Sequence, residues 1–358
     1  MELIVEILTR VAVKDLLRFK CVSKEWKLLI EDRYFVHKHL YHSPIGRFPL
    51  VKHSFHFSQS YHGLILEWHK YSWKFRIRNP AMEQVFSVPN PQKASRMMRF
   101  GFAPTSGLYK LVSVYDSDVA GNGYGGVEIL VLGTEDKPSW KHVDSTHLRS
   151  FDWNDRPSGY VADQGVVHIA KTSKIQSQDH EVMSFDLDTE SFRGHKLVVP
   201  RSVFPAGSDV SLVYGAFLVA LANGELHILG LQDCEEGKLE GKKIIIPLSF
   251  MQENPEMRRD LRVEFISWHS QEIGFRWENC IGFTYYIREE RKGQEACIGR
   301  NGKLTSVLYK ASLVTFKGMR PEWDWTKDMR HAAKRISKYC NKFSFFLFFL
   351  VAYVCVTQ

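Results

Sequence analysis

Along the first forty residues apolar side chains recur every three or four positions, and from about residue 48 they alternate with polar ones. The first period predicts short amphipathic helices, the second strands. Leu3, Ile4, Ile7 and Leu8 form one helical stripe. Leu16, Leu17, Cys21 and Val22 form a second, and Trp26, Leu29 and Ile30 a third. Ser23 is placed to cap the third helix, and Asp32 to cap a fourth. Forty residues cannot bury that much apolar surface alone, so the segment needs the rest of the chain or a partner.

Strand-like runs follow at Gly63–Trp68, Lys74–Arg78, Tyr109–Tyr115, Val127–Leu132, Gly165–Ile169, Glu181–Leu187, Ala216–Leu221, Glu225–Leu229, Val263–Trp268 and Lys303–Tyr309. They are rich in β-branched and aromatic residues and are separated by Gly, Pro, Asn and Asp. Asn79-Pro80 and Asp188-Thr189-Glu190 read as turns, and Asn223-Gly224 as a two-residue hairpin. So many short strands mean a sandwich pair, a barrel or a propeller. A strand starting near a Gly and followed by a second strand recurs near Gly63, Gly165, Gly224 and Gly302, which favours blades stacked radially.

Composition narrows the function. The net charge of +8 is uneven, with eight Lys/Arg against three Asp/Glu in residues 316–342. Elsewhere the charges are interspersed, which argues against a nucleic-acid face. The six cysteines are scattered, with no C-x-x-C pair, no secretory signal and no glycosylation sequon. That pattern predicts a reducing compartment, cytoplasm or nucleus or both, with cysteines as small core residues.

Sites for chemistry are few. Gly121-Asn122-Gly123-Tyr124-Gly125-Gly126 matches G-x-G-x-x-G, but a strand rather than a helix follows, so a hairpin loop is the better account. His37 and His39 read as the solvated end of the fourth helix. Neither they nor His53 and His56 have a Cys or carboxylate at ligand spacing, so no metal and no cofactor is expected. Asp116 and Asp118 read as turn residues. Asp144, Ser145 and His147 form no nucleophile arrangement. Most tryptophans suit core packing, Trp140 among them. Tyr71, Trp73 and Trp153 lie in loop-like stretches and are candidate exposed anchors for a partner.

After residue 316 the pattern turns helical again. Trp325, Met329, Ala332, Ile336 and Tyr339 alternate with Lys and Arg as in a basic amphipathic helix. The run Phe343–Val356 carries no charge. Its fourteen residues would span about 21 Å as a helix, short of a bilayer core of about 30 Å. Three readings stay open: an extension without a role, a tail anchor in a membrane, and a segment packed on the domain.

The opening segment resembles an F-box, in Glu2-Leu3-Ile4 with Ile7-Leu8, in the run from Val13 to Trp26, and in Leu29-Ile30 and Phe35. The Leu-Pro pair that usually precedes Glu-Leu-Ile in that family is missing, so a shortened first helix is expected. The middle is similar to the F-box-associated interaction domain of plant F-box proteins, a kelch-like, propeller-related region. The matching stretches are Tyr61-His62-Gly63-Leu64-Ile65, Arg78-Asn79-Pro80-Ala81, Phe100–Pro104, Ser184–Leu187 and Ala311-Ser312-Leu313-Val314.

This resemblance implies an α+β arrangement: a helical F-box over residues 1–42, then a large all-β, β-propeller-like domain over 43–315. A basic helix over 316–342 and an apolar tail over 343–358 would follow. It implies a non-catalytic substrate-receptor subunit of an SCF-type ubiquitin ligase. Leu3, Ile4, Ile7, Leu8, Val13, Leu16, Leu17, Cys21, Val22 and Trp26 would form or support the surface for a Skp-type adaptor, and through it a cullin-RING ligase. The client is an unknown protein. The alternative is an interaction module whose truncated F-box no longer recruits a ligase.

Overall fold

Four short helices precede the strands: α1 (Glu2–Leu8), α2 (Val13–Phe19), α3 (Lys24–Glu31) and α4 (Arg33–His42). The computed structural model describes residues 2–323 except 50–54, 70–71, 116–124, 136–137, 145–157, 163–164, 172–178, 194–196, 206–207, 214–216, 223–224, 231–242, 248–262, 270–271, 278–281 and 287–305. Both expected caps form. The Ser23 hydroxyl accepts the Trp26 N–H at 3.2 Å, and the Asp32 carboxylate accepts the Phe35 N–H at 3.1 Å. Each cap occupies an N–H that the helix cannot satisfy itself. Leu8, Val13, Leu16, Ile30 and Phe35 turn inward and pack on Leu313 from the far end of the chain. Glu6 pairs with Lys38 across α1 and α4, and Lys20 with Glu31 at 3.2 Å across α2 and α3.

The β domain begins with β1 (Ile45–Pro49). Five antiparallel sheets follow in chain order. The first holds β2 (Phe55–Tyr61), β3 (Leu64–His69), β4 (Phe75–Asn79) and β5 (Gln84–Ser87). The second holds β6 (Ser95–Ala103), β7 (Leu108–Tyr115), β8 (Gly126–Val131) and β9 (Lys141–Val143). The third holds β10 (Ser158–Ala162), β11 (Val166–Lys171), β12 (His180–Asp186), β13 (Ser191–Phe192) and β14 (Leu197–Val199). The fourth holds β15 (Asp209–Val213), β16 (Phe217–Ala222), β17 (Glu225–Gly230) and β18 (Lys243–Pro247). The fifth holds β19 (Val263–His269), β20 (Glu272–Trp277) and β21 (Gly282–Tyr286). Then β22 (Ser306–Lys310) pairs back onto β1, and β23 (Arg320–Pro321) onto β5.

Successive first strands lie side by side: β2 on β6, β6 on β10, β10 on β15, β15 on β19, with β22 against β2. Sheets standing radially on their first strands make a propeller-like domain. The pairing of β1 with β22 joins the beginning of the β domain to a strand near its end. A continuous apolar core runs through the first three sheets, from Leu64, Leu66 and Ile77 through Phe100, Leu111 and Leu130 to Val167 and Phe185.

Polar side chains stitch neighbouring sheets where no strand pairing reaches. The Gln59 carboxamide donates to Phe100 O at 2.8 Å and accepts Phe100 N–H at 3.1 Å, copying a strand's own hydrogen bonds. Lys110 donates to Leu187 O at 2.6 Å and to Glu190 at 2.7 Å. The Asp188 carboxylate accepts the backbone N–H groups of Thr105 and Ser106 at 3.1 and 2.9 Å. The turn Asp188–Glu190 therefore fastens the third sheet to the second.

Every expected strand run coincides with a strand, displaced by a residue or two at its ends or, for the run begun at Lys303, by three at the start. Ala222 stands opposite Glu225, the register a two-residue connection requires. Other strands had no clear alternating signal. β2 carries a register shift between Phe57 and Gln59, and β5 is four residues long. The boundary at residue 315 falls too early. Phe316 and Met319 pack on the main core, β23 adds to the first sheet, and Glu322 donates its N–H to Glu83 O at 2.8 Å. The expected basic helix from Trp325 and the apolar run lie outside the described residues.

Candidate functional site

The helical segment is apolar on both faces. Its inner face is the core just described. Its outer face carries Leu3 (73% exposed), Ile7 (57%), Val22 (65%) and Leu28 (69%), with Ile4 also exposed. Leu3, Ile4 and Ile7 stand on α1, Val22 in the turn between α2 and α3, and Leu28 on α3, and exposed apolar side chains in such number mark an interaction surface. The residues expected for this surface divide in two. Leu3, Ile4, Ile7, Cys21 and Val22 are exposed, while Leu8, Val13 and Leu16 are buried and only support the face. Leu17 and Trp26 are half-buried and pack on the inner core, Trp26 edge-to-face against Phe19 at 5.6 Å. Leu28 belongs to the outer face and was missed, since it falls outside the Trp26–Leu29–Ile30 stripe. Cys21 is an exposed free thiol, not the small core residue expected.

Three turns at one end of the first two sheets seat this helical unit. The β2–β3 turn is His62-Gly63, with φ of 50° and 75°, the pair of left-handed residues that a type I′ hairpin requires. A Cβ on Gly63 would run into Lys310 O and Ser312, so only glycine fits there. In the β4–β5 turn, Ala81 and Met82 pack on the helical core. In the β6–β7 turn, Gly107 (φ 64°) leaves room for the Arg33 guanidinium of α4.

Asn79 ties these parts together. Its amide donates to Ser312 O at 3.0 Å and Val314 O at 2.8 Å, while its carbonyl accepts Ala81 N–H at 3.0 Å and Met82 N–H at 3.2 Å. One side chain thus shapes the turn and holds the segment after β22 that delivers Leu313. The stretches Arg78–Ala81 and Ala311–Val314 meet here, although more than 220 residues separate them.

The histidines of α4 correct the expectation of a solvated helix end. His39 is buried, with Nε2 2.8 Å from Val11 O and Nδ1 3.3 Å from the Ser43 hydroxyl. His37 is half-buried on Phe102, ring centroids 4.7 Å apart. Burial holds both below the usual imidazole range, with Arg33 adding to the effect at His37 and the Val11 carbonyl opposing it at His39. Beneath them His62 Nδ1 lies 3.1 Å from the Tyr109 hydroxyl. Desolvation pulls His62 down to about 3 and pushes the Tyr109 phenol up. These imidazoles serve here as packing groups. Among the described residues no group of three or more His, Cys, Asp or Glu is placed to hold a metal ion.

The opposite end of the sheets is a second candidate surface. Strand β3 leaves the helical unit at Leu64 and ends at His69, about 17 Å away at strand rise. There Trp73 is 69% exposed on a left-handed backbone (φ 54°). It stacks on Trp68 with centroids 4.8 Å apart and planes at 11°, and His56 stacks on the same Trp68 at 4.4 Å. The turn holds this posture through Trp73 N–H to His69 O at 2.9 Å. Trp73 thus presents an exposed aromatic ring from a backbone conformation that favours glycine or asparagine. Strand β9 ends and β10 begins at this same end. The other two expected anchors, Tyr71 and Trp153, lie outside the described residues, as do Asp116 and Asp118. Trp140 is in the core as expected, its indole N–H donated to Pro89 O at 2.8 Å.

A buried charge cluster in the first sheet is structural. Glu67 receives Arg76 at 2.8 Å and Arg78 at 3.0 Å, and Glu322 lies 3.8 and 3.5 Å from the same two guanidinium groups. Arg76 also covers the Phe55 ring at 3.7 Å. Two cations face two carboxylates.

Helical unit and propeller-like domain define a class that comparison with known proteins makes concrete. Residues 1–38 match the F-box domain, and residues 30–206 match the F-box associated beta propeller domain. The chain is similar to F-box protein DOR of Arabidopsis thaliana, 22% identical over 78% of this chain and 76% of that protein. Its opening is similar to F-box only protein 8 of the same plant, 51% identical over 39 residues, 11% of this chain and 13% of that one. Together these findings support a plant F-box protein. A Dos1 propeller overlays 74% of this chain and 71% of its own at 7% identity and a TM-score of 0.33, too loosely to carry an argument.

Proposed function

We propose that this protein is a substrate receptor of an SCF-type ubiquitin ligase. The helical unit docks on a Skp-type adaptor, and the kelch-like β domain holds a client protein at the opposite end. The observation that carries the reading is the outer face of α1–α3, where Leu3, Ile4, Ile7, Val22 and Leu28 stand in solvent although an inward core already satisfies the fold. The protein catalyses nothing itself; transfer belongs to partner subunits, and holding the client beside them raises its effective concentration. Client recognition would use the aromatic stack of Trp73 and Trp68, with Tyr71 and Trp153 as further anchors. The site of action would be cytoplasm, nucleus or both.

The test is adaptor capture by the full chain and by Ile7→Asp and Leu28→Asp. Both positions are exposed, so a carboxylate there leaves folding intact yet would be desolvated without a partner in the complex. Loss of adaptor from both variants with an unchanged melting transition supports the reading. Equal recovery from wild type and variants sinks it. Leu17 is a poorer choice, because it packs on the inner core.

A further inference from the structure

The F-box core is completed from outside the F-box. Leu313, 2% exposed, sits among Leu8, Val13, Leu16, Ile30 and Phe35, with Ala311 packed beside them. The next residue, Val314, is 3% exposed and belongs to the core of the first three sheets. Two consecutive side chains thus plug two different cores. The β domain sets where they stand. β22 is paired with β1 up to Lys310, opposite Ile45. Asn79 donates to Ser312 O and Val314 O, at 3.0 and 2.8 Å. The Tyr309 hydroxyl accepts Ala81 N–H at 3.0 Å, and the Thr315 hydroxyl donates to Gln84 Oε1 at 2.8 Å. The Gly63 backbone lies so close that a Cβ there would stand 2.4 Å from Lys310 O.

We propose that the F-box is conditional on closure of the β domain: residues 311–314 act as a latch whose docking gives α1–α4 their adaptor-competent packing. A helical unit of about forty residues buries too little surface to hold a fixed shape by itself. Its missing apolar partner arrives only after β22 has paired with β1 and Asn79 has gripped the residues that follow. A chain whose β domain is incomplete or open therefore presents no ordered docking face, so a receptor that cannot hold a client does not occupy the adaptor. Thermodynamic linkage makes the coupling reciprocal: adaptor on the helices must tighten the β1–β22 closure in return. The latch stands on the packing alone; its effect on adaptor binding rests on the proposed function.

The test is segment-resolved hydrogen exchange on the full-length chain, with and without a Skp-type adaptor. Leu313→Asp puts a carboxylate into the F-box core and leaves Val314 in place. Gly63→Ala acts on the latch from the β side, against Lys310 and Ser312. In both variants α1–α4 should exchange at least about tenfold faster than in the wild type, while β7, β11 and β16 keep their protection. Apparent adaptor affinity should fall about tenfold once the competent fraction drops to about one-tenth. In the wild type, adaptor at about ten times its Kd should slow exchange in β1 and β22 about tenfold. Helices that keep wild-type protection in either variant overturn the proposal, and so does a loss of protection spread equally over helices and strands. Unchanged exchange in β1 and β22 with adaptor bound overturns the reciprocal coupling and with it the latch. A wild-type chain that binds no adaptor, with helices that still loosen in both variants, sinks the ligase reading and leaves the latch in place.

Discussion

The helical unit and the first sheet break the usual distribution of residues in opposite ways. The helices leave Leu3, Ile7, Val22 and Leu28 in water. The sheet buries Glu67 and Arg76. In the sheet the buried charges of Glu67, Arg76 and Arg78 find their opposites inside the chain, so this cluster has nothing left to recruit. In the helices the apolar surplus has no counterpart among the described residues outside its inner core. An anomaly that the chain resolves internally reads as structure; one that it leaves open reads as an interface.

The sharpest way to break that comparison is to unbalance the sheet. Glu67→Ala removes the nearer carboxylate from Arg76 and Arg78 and leaves the more distant Glu322, and should cost about 3 kcal/mol or more in chemical denaturation. A loss near zero would mean that water already reaches the cluster. Charging the helices should do the reverse. Ile7→Asp or Leu28→Asp should change stability by less than about 0.5 kcal/mol. Each should weaken adaptor binding by about 2 kcal/mol or more in titration calorimetry.

A third measurement concerns the seam between the two regions. His62 titrates near 3 when folded and near 6.5 in an unfolded chain, so between those values the unfolded state takes the proton and the folded state does not. Its contribution is fully present above about pH 6.5 and is lost as pH falls toward 3, by up to about 1.4 kcal/mol per pH unit. His168, held near 4 by burial, adds a slope of the same sign. His62→Asn keeps a residue that tolerates the left-handed backbone but cannot be protonated. The variant should show a shallower loss of melting temperature from pH 6.5 to 5, and an unchanged slope would put the acid sensitivity elsewhere.

Smaller effects are expected from the ends. Ser23→Ala removes the cap of α3 and should cost about 1 kcal/mol. Trp73→Asn trades the stack on Trp68 for an easier left-handed backbone, so stability should move by less than about 1 kcal/mol while client capture falls. Retained client with this variant would remove Trp73 from the recognition surface.

What could be read in the chain was local. The change from a three-to-four-residue period to alternation separated helices from strands. Ser23 and Asp32 marked their helices because a cap acts on its own first turn. Asn223-Gly224 lie outside the described residues, but Ala222 faces Glu225, the register that a two-residue turn there implies. Exposure was a different matter. Leu16 and Leu17 look equivalent in sequence, yet one is buried and the other is not, because a helix stripe has a centre and an edge that only the neighbouring element reveals. Leu28 lacked a signal for the same reason. His39 became a core residue through Val11 O, a partner in the α1–α2 connection that α4 meets only on folding back, while its other partner, Ser43, lies one turn further along the chain. Asn79 joined residues 311–314, and Glu322 closed on Arg76 and Arg78, across separations that no local pattern encodes. Helix, strand and turn propensities are short-range and are written in consecutive residues. Which side chains end up inside, and which charges find each other, depends on sheets brought together in space, and that was decided by the tertiary structure alone.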